Sequence, residues 1–303
     1  MPSEFAHHAA LSLFGVRVLV ESNSESAVIA AQGRISSGKQ VNIPNDDQES
    51  VHIVINSYAV NEPRGFCSGS VNAISLCLNF GQVTVRADTV SGRGICEFPN
   101  GCDFGDSFAE AIDTVVLFLV AHAGRIPIHA SAFMIGDTAI VLAGPGGAGK
   151  STLALAAAQA GLAVLSEDTV FVQFQPKLRL WSRMEAIHVF DRDAPAGASG
   201  AKRYRSGRWK RILPVTAPQN CADRAVLCVL TPGNGLSLTP MAPDDAVVAL
   251  TANPEPGYEF YGTRSVEAVR MLAGDGAWKL RLSQSPREAI DLICRTILPG
   301  KSS

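Results

Sequence analysis

The feature that most constrains the fold is the run G-P-G-G-A-G-K-S at residues 144–151. It follows five apolar residues, 139–143, and precedes good helix formers at 152–160, which end at Gly161. Glycines between a strand and a helix let backbone N–H groups turn toward a phosphate, and the helix N-terminus adds positive potential. This context predicts a strand, a phosphate-binding loop and a helix, and therefore an α/β fold.

The predicted loop suggests a nucleotide with a metal ion. Lys150 is placed to bridge the β- and γ-phosphates, and the Ser151 hydroxyl is placed to bind Mg²⁺. We therefore predict ATP and Mg²⁺ as cofactors, although the residues do not distinguish ATP from GTP. The alternative is a flexible glycine-rich turn without a ligand. The positions expected to hold the nucleotide are Gly144, Gly146, Gly147, Ala148, Gly149, Lys150, Ser151 and Thr152.

Composition excludes several classes of protein. The chain has 303 residues, of which 47% are hydrophobic and 18% charged, so it is not a disordered chain. With 26 Lys and Arg against 28 Asp and Glu, the net charge of −2 favours neither nucleic acid nor a membrane surface as partner. The most apolar stretch, 114–121, is far shorter than the ~20 residues of a membrane span, and the N-terminus lacks a secretory signal. We expect a cytoplasmic protein.

The seven cysteines predict reduced thiols. Their number is odd and no C-x-x-C pair occurs, which favours neither a disulfide framework nor a zinc site. Buried free thiols are the expectation.

Patterning along the chain predicts two domains. Short alternating apolar runs broken by turn residues fill 13–100, and this period of two is typical of strands. Apolar residues then recur at helical spacing over 106–123. We predict a β-rich N-terminal domain, 1–104, and a larger α/β domain, 105–303, which contains the predicted phosphate-binding loop.

Two neighbouring carboxylates follow the predicted helix. Glu167 and Asp168 lie in a predicted strand, 162–172, and Asp168 is 168 − 150 = 18 residues beyond Lys150. A strand–helix–strand crossover can return them to the phosphates, where one would hold Mg²⁺ and the other would face an attacking hydroxyl. Adjacent strand residues point to opposite faces, so both can serve only if the backbone bends. An exposed acidic turn is the alternative.

A histidine upstream is the third candidate. His129 lies in an apolar segment just before the loop hairpin. A lone histidine in such a segment is commonly a core residue, but a hydrogen bond to Asp168 would orient that carboxylate and tune its basicity.

Together, the segments HASA, from residue 129, and AGPGGAGKSTLALAAAQAGLAVLSEDTV, from residue 143, resemble the HPr serine kinase/phosphorylase superfamily. The chain is most similar to HPr-kinase-like relatives in peptide-modification clusters, including the kinases of lasso peptide precursors. The resemblance is tight over about 125–175. It implies an HPr kinase/phosphoenolpyruvate-carboxykinase-like P-loop core and, by analogy, a homo-oligomer.

The resemblance also implies residue roles. The active centre would comprise His129, the loop 144–151, Glu167 and Asp168, with Asp168 as the base that accepts the seryl proton. Glu167 stands where the family more often has aspartate, and it would bind Mg²⁺ together with Ser151. The family's glutamate-isoleucine-arginine-glycine signature is not evident, and Leu-Trp-Ser-Arg-Met-Glu-Ala occupies that region from residue 180. This departure argues against HPr as substrate.

The expected function is an ATP- and Mg²⁺-dependent kinase acting on a serine of a ribosomally made, lasso-type precursor peptide. A kinase of the same fold with a small-molecule acceptor and a nucleotide-binding regulatory module remain alternatives. A carboxykinase is the weakest rival, because no second metal-ligand cluster is apparent.

A basic segment offers a contact for the acceptor. Residues 202–211 contain six Lys and Arg, which suit a transferring phosphoryl group or an acidic peptide. A solvated hairpin is the alternative. His188, with Glu185 and Asp191, forms a loose group that could join the metal site, and 286–297 reads as an amphipathic helix.

Overall fold

The computed structural model has a mixed α/β architecture, with both parallel and antiparallel strand pairs. Its contacts divide the chain into two compact units, Met1–Arg125 and Ile126–Ser303. No helix within the described ranges is long and apolar enough to cross a membrane. The described residues are 5–36, 50–59, 69–183, 186–190, 201–205, 208–214, 220–231, 233, 235–252, 258, 261–274, 276–282 and 285–297.

The first unit is built on a seven-stranded sheet, counted over the described residues. Alternating residues of its strands are buried, as in Val16, Val18 and Val20, which explains the period of two in the sequence. The strand order is β1-β2-β3-β7-β6-β5-β4. The elements are β1 (His7–Leu13), β2 (Val16–Ser22), α1 (Glu25–Ile35), β3 (Ser50–Tyr58), β4 (Ser70–Val71), β5 (Ser75–Phe80), β6 (Val83–Asp88), β7 (Arg93–Pro99) and α2 (Asp106–His122).

Helix α2 packs on this first sheet. Its buried face includes Phe108, Ile112 and Val115, and it contacts β3, β5, β6 and β7. The approach is so close that a Cβ atom on Gly94 would lie 2.4 Å from Val115 Cγ2. The division between compact units therefore follows α2, whereas the sequence analysis placed the domain boundary before this helix, at residue 104.

The second unit contains a nine-stranded sheet, in the part of the chain that the structure describes, and a separate three-stranded sheet. The large sheet has the order β16-β12-β11-β8-β9-β17-β19-β18, with β10 also paired to β8. The elements are β8 (Arg125–Ile135), β9 (Thr138–Ala143), α3 (Lys150–Gln159), β10 (Val164–Ser166), β11 (Thr169–Gln173), β12 (Arg179–Trp181), β13 (Ala186–Phe190), β14 (Lys202–Arg205), β15 (Arg208–Pro214), β16 (Cys221–Ala222), β17 (Arg224–Thr231), β18 (Ser237–Met241), α4 (Pro243–Thr251), α5 (Gly262–Ala273), β19 (Ala277–Arg281) and α6 (Pro286–Ile297).

The large sheet lies between two helical layers. Val141 of β9 belongs to a core shared with α4 and α5, whereas its neighbours Ile140 and Leu142 belong to a core shared with α3 and α6. Successive strand residues point to opposite faces, so a strand that is covered on both sides is apolar throughout. This is why β9 reads as a continuous apolar run rather than an alternating one.

The two strands joined by the predicted crossover are not neighbours in the sheet, because a third strand lies between them. β9 pairs antiparallel with β8, and β8 pairs antiparallel with β10, so β9 and β10 run parallel with β8 between them. The predicted crossover therefore returns the chain two strands away from β9. As a result, β8 lies against both the strand that leads into the loop and the strand that leads to the acidic pair.

The expectation that the cysteines are reduced thiols is wrong for one of them. Within the described ranges, five of them are free thiols, but Cys77 is disulfide-bonded. Spacing along the chain does not reveal which cysteines a fold brings within bonding distance, which explains the error. Burial raises the pKa of the Cys96 and Cys228 thiols to about 12, as expected for inert core thiols.

A charged cluster beside β12 gives a prediction for acid stability. Arg179 donates from Nη2 to Asp223 Oδ2 at 3.0 Å, and this guanidinium, with Lys177, lowers the pKa of the Asp223 carboxyl to about 2. We expect Asp223→Asn to lower the free energy of unfolding by less than about 1 kcal/mol near neutral pH, because the pair is partly exposed to solvent.

The sign of the pH dependence follows from the lowered pKa. Above the unfolded pKa of about 4, the carboxylate is charged in both states and contributes fully. As the pH falls toward about 2, the unfolded chain takes up the proton first, so the contribution disappears. Urea unfolding at pH 7, 4 and 2.5 should show that the difference in free energy of unfolding between wild type and Asp223→Asn becomes smaller as the pH falls. A difference that is constant with pH would contradict the lowered pKa of Asp223.

Candidate functional site

The predicted phosphate-binding loop connects β9 to α3 at the carboxyl ends of the parallel strands β9 and β17. Gly149, at the N-cap of α3, has a φ of 98°, a left-handed conformation that favours glycine. Ala148 N donates to Pro145 O at 3.1 Å and closes the turn. The residues predicted to hold the nucleotide lie on this turn and the first helical turn: Gly144, Gly146, Gly147, Ala148, Gly149, Lys150, Ser151 and Thr152.

Lys150 folds over the beginning of the loop. Its side chain is 6% exposed, and Nζ donates to Gly144 O at 2.7 Å and to Pro145 O at 3.0 Å. The ammonium group therefore lies beside the first two residues of the loop. A lysine in this position neutralises the β- and γ-phosphates of a nucleotide, so the first two loop residues mark the end of the site at which a γ-phosphate would lie.

The backbone bends at the acidic pair, as the sequence required if both carboxylates were to be used. Glu167 and Asp168 lie between β10 and β11 rather than inside a single strand. Ala130 N donates to Asp168 O at 3.0 Å, which attaches the bend to β8. On the same strand, His129 Nδ1 lies 3.5 Å from Asp168 Oδ1. The structure thus brings the predicted base and the predicted histidine together, at a distance slightly longer than a normal hydrogen bond.

Two further residues join this pair, and the sequence analysis did not single out either. The hydroxyls of Thr169 and Tyr258 are 2.7 Å apart, and the Tyr258 ring centroid lies 5.6 Å from that of His129. Thr169 directly follows Asp168, so its position was a usable signal. Tyr258 is 89 residues from Thr169, and no local pattern indicates the contact.

Glu167 has different neighbours from Asp168. Its buried carboxylate accepts a hydrogen bond from His188 N at 3.2 Å, and Oε1 lies 2.7 Å from His188 Nδ1. The main-chain oxygen of Glu167 accepts from Ser131 Oγ at 2.5 Å and lies 3.5 Å from Ser151 Oγ. The bend therefore places the backbone of Glu167 beside the predicted metal ligand Ser151, while His188 holds its carboxylate.

His188 is thus a site residue that the sequence only loosely indicated. It lies on β13 in the three-stranded sheet, order β13-β15-β14, and β13 packs against α3 through Ile187 and Val189. Its predicted companions Glu185 and Asp191 lie outside the described residues.

The basic segment 202–211 forms β14 and the start of β15, which pair as a hairpin. Lys210 Nζ lies 5.5 Å from the centroid of the Phe190 ring, a cation–π contact within the sheet. The side chains of residues 203–208 lie outside the described part of the chain. Contact between this segment and an acceptor stays a prediction.

Ser151 and the acidic pair carry oxygen donors of a type that fits a magnesium ion. Mg²⁺ prefers carboxylate and hydroxyl oxygens, and with a bound nucleotide it uses only one or two protein ligands besides phosphates and waters. Ser151 Oγ and the carboxylates of Glu167 and Asp168 are of this type. Among the described residues there is no cluster of three or more His, Cys, Asp or Glu side chains that could hold a metal ion.

A cavity of about 470 Å³ opens beside the beginning of the loop. His129, Gly144 and Pro145 lie on one side of it, and residues of α4 and α5 lie on the other. The candidate catalytic histidine and the part of the loop contacted by Lys150 therefore line the same space.

Comparisons with known proteins give little further information. No protein family model matches the chain, and no curated protein matches it. Among solved structures, it is similar to the Hpr(Ser) kinase/phosphatase from Coxiella burnetii, with a TM-score of 0.33 and 12% sequence identity, over 57% of this chain and 96% of that chain.

Proposed function

We propose that this protein is an ATP- and Mg²⁺-dependent kinase that transfers the γ-phosphoryl group to a hydroxyl, that of a serine in a precursor peptide. One observation carries the proposal. The cavity beside the loop is lined by His129, the partner of Asp168, and by Gly144 and Pro145, whose carbonyl oxygens accept from Lys150. Residues in contact with the candidate base and with the candidate phosphate-neutralising lysine thus line one space.

The chemistry assigned to each residue follows from this arrangement. The Asp168 carboxylate, oriented by His129, accepts the proton as the serine O–H bond breaks. The serine oxygen forms a bond to the γ-phosphorus, and the bond from that phosphorus to the β-phosphate bridging oxygen breaks, releasing ADP. Lys150 and the backbone N–H groups of the loop hold the phosphates in line with the hydroxyl and neutralise their charge.

Ser151 is the residue proposed to hold the metal, with a carboxylate of the acidic pair. A Mg²⁺ ion held there would withdraw negative charge from the phosphate oxygens of the nucleotide. The carboxylate of Glu167 is kept in one orientation by the ring and the backbone N–H of His188. His188 is therefore proposed as a positioning residue.

The choice of peptide as acceptor rests on the resemblance of the motifs around residues 129 and 143 to kinases of lasso peptide precursors. The basic hairpin at residues 202–211 supports it, because cations suit an acidic peptide.

The test is to incubate the protein with ATP, Mg²⁺ and serine-containing precursor peptides, and to measure intact peptide mass. A gain of one phosphoryl group that EDTA abolishes supports the proposal. Transfer only to free serine or a sugar would assign a small-molecule kinase, and tight ATP binding without transfer to any acceptor would indicate a regulatory module.

His188→Ala tests the positioning of Glu167. Removing the imidazole leaves Glu167 without one of its hydrogen bonds, so we expect the Mg²⁺ concentration for half-maximal activity to rise by about tenfold or more. At saturating Mg²⁺, activity should largely recover, which a folding defect would not allow. His122→Ala, which removes a contact to Phe118 O on α2, is the control and should leave the Mg²⁺ dependence unchanged. Equal Mg²⁺ dependence in wild type and His188→Ala would contradict the role.

A further inference from the structure

The cavity beside the loop has apolar walls. Ile128, Ala143 and Val269 are buried residues of its lining, and Leu250 and Val266 extend the apolar surface. Its volume of about 470 Å³ lies within the range of small-ligand sites. Its described lining residues include no Asp, Glu, Lys or Arg. Such a lining favours an uncharged apolar group, since a buried charge without a partner is costly.

One polar atom in this lining lacks a partner. Ser265 Oγ, on α5, is buried and has no hydrogen-bond partner among the described residues. Buried hydroxyls are normally hydrogen-bonded. The other hydroxyls of the lining are engaged, because Thr251 Oγ1 donates to Val247 O at 2.7 Å and the Tyr258 hydroxyl contacts Thr169. Because this oxygen is almost inaccessible to solvent, Ser265 would hydrogen-bond a ligand in the cavity after rotation of its side chain.

The position of the cavity distinguishes the two substrates of a kinase. Gly144 and Pro145 are the loop residues that it contacts, and Lys150 Nζ bonds to the carbonyl oxygens of both. Because this lysine neutralises the β- and γ-phosphates, the cavity adjoins the end from which the phosphoryl group leaves. His129, beside the candidate base, also lines it. A group bound here would lie next to the accepting hydroxyl rather than next to the nucleobase.

We propose that this cavity binds a large apolar side chain adjacent to the phosphorylated serine of a peptide, with Ser265 Oγ hydrogen-bonding the peptide backbone. The inference rests on the proposed kinase function and adds a preference for the residue next to the phosphorylated serine. Free serine and phosphorylated sugars carry charges for which the described lining offers no partner. A peptide brings an uncharged apolar side chain, a serine hydroxyl and backbone polar groups together.

The test compares two blocked peptides that differ only beside the serine, one with Phe on both sides and one with Asn on both sides. We expect wild type to prefer the Phe peptide by about tenfold or more in kcat/KM, as burial of an aromatic side chain implies. Ala249→Phe places a ring at an exposed lining position of α4 and should raise KM for the Phe peptide, which removes the preference. Its control, Val248→Phe, alters the neighbouring residue, which is 66% exposed and outside the lining, and should keep the preference.

Ser265→Ala tests the hydrogen bond separately. Loss of one such bond should lower kcat/KM about two- to tenfold for both peptides alike, because both share the backbone. Equal kcat/KM of wild type for the two peptides would overturn the inference and leave the kinase proposal standing. Weaker binding of a non-hydrolysable ATP analogue by Ala249→Phe, with the peptide preference intact, would assign the cavity to the nucleobase and also overturn it.

Direct binding separates failure of this inference from failure of the proposed function. If wild type phosphorylates neither peptide, the affinity of the fluorescently labelled Phe peptide is measured with the ATP analogue present. Binding to wild type and Val248→Phe but not to Ala249→Phe would support the cavity as a peptide site without transfer. Equal binding of the Phe and Asn peptides would overturn it.

Discussion

Replacing Asp168 with asparagine is expected to lower the rate of phosphoryl transfer about 10²- to 10⁴-fold while changing ATP affinity less than about threefold. Asparagine matches the carboxylate in size but cannot accept the seryl proton. The backbone bond from Ala130 N to the oxygen of residue 168 does not depend on the side chain, so the bend should persist. Transfer is measured by single turnover, and affinity by titration with a non-hydrolysable ATP analogue.

The control for Asp168→Asn is Asp291→Asn, which alters a half-exposed aspartate paired with Arg287 at 3.2 Å on α6. It should leave both transfer and ATP affinity unchanged. Undiminished transfer by Asp168→Asn would remove this residue from the mechanism. Loss of ATP affinity, in a protein that transfers nothing, would instead favour a nucleotide-binding module.

Lys150→Ala is expected to weaken ATP binding about 10- to 100-fold, the equivalent of a charge-assisted hydrogen bond, and to lower kcat a further ~100-fold or more. The ammonium contributes to ground-state binding, and its effect grows as charge develops on the transferring group. The two variants can therefore be distinguished. Asp168→Asn should lower only the rate of phosphoryl transfer, whereas Lys150→Ala should lower both that rate and the affinity for ATP.

The control for the lysine is Lys177→Ala. Lys177 is more than half exposed and pairs with Asp223 beside β12, so its loss should affect neither ATP affinity nor kcat. Circular dichroism and thermal unfolding of Lys150→Ala establish whether its fold is intact, because the variant leaves two loop carbonyl oxygens without their donor. Native ATP affinity in a folded Lys150→Ala would contradict the assigned role of the loop.

The parts of the site that sequence predicted are those encoded locally. The apolar run of β9, the glycines and the helix formers after Lys150 are contiguous, so each element is visible in the pattern. The nearness of His129 and Asp168 was predictable because only one hairpin and one crossover separate them. The need for a backbone bend at Glu167 followed from strand geometry alone.

The parts that sequence did not predict depend on distant residues or on weak patterns. Helix α1 begins at its N-cap Ser24, whose hydroxyl accepts from Ala27 N at 3.4 Å, but its small and polar residues give a weak amphipathic pattern. It lies within the stretch 13–100, for which the sequence analysis predicted strands.

The cavity could be predicted from the sequence even less than helix α1. Its walls come from Ile128 on one side and from Leu250 and Val266, more than a hundred residues further along the chain, on the other, and they are joined only when α4 and α5 cover the sheet. The contact of Tyr258 with Thr169 depends on the same packing. A pattern read over a dozen residues contains none of this information.

Because β8 lies between β9 and β10, its position decides whether the contiguous glycine-loop segment could be moved into another protein. β8 contributes His129 and, through Ala130 N, attaches the bend that carries Asp168. A segment running from β9 through α3 and β10 to Asp168 would contain the whole glycine loop and both acids, yet it would lack β8, the strand that pairs with both β9 and β10. Grafted into another sheet, it would bring the proposed phosphate-binding loop without the histidine beside Asp168, so the proposed site depends on three paired strands rather than on the contiguous motif.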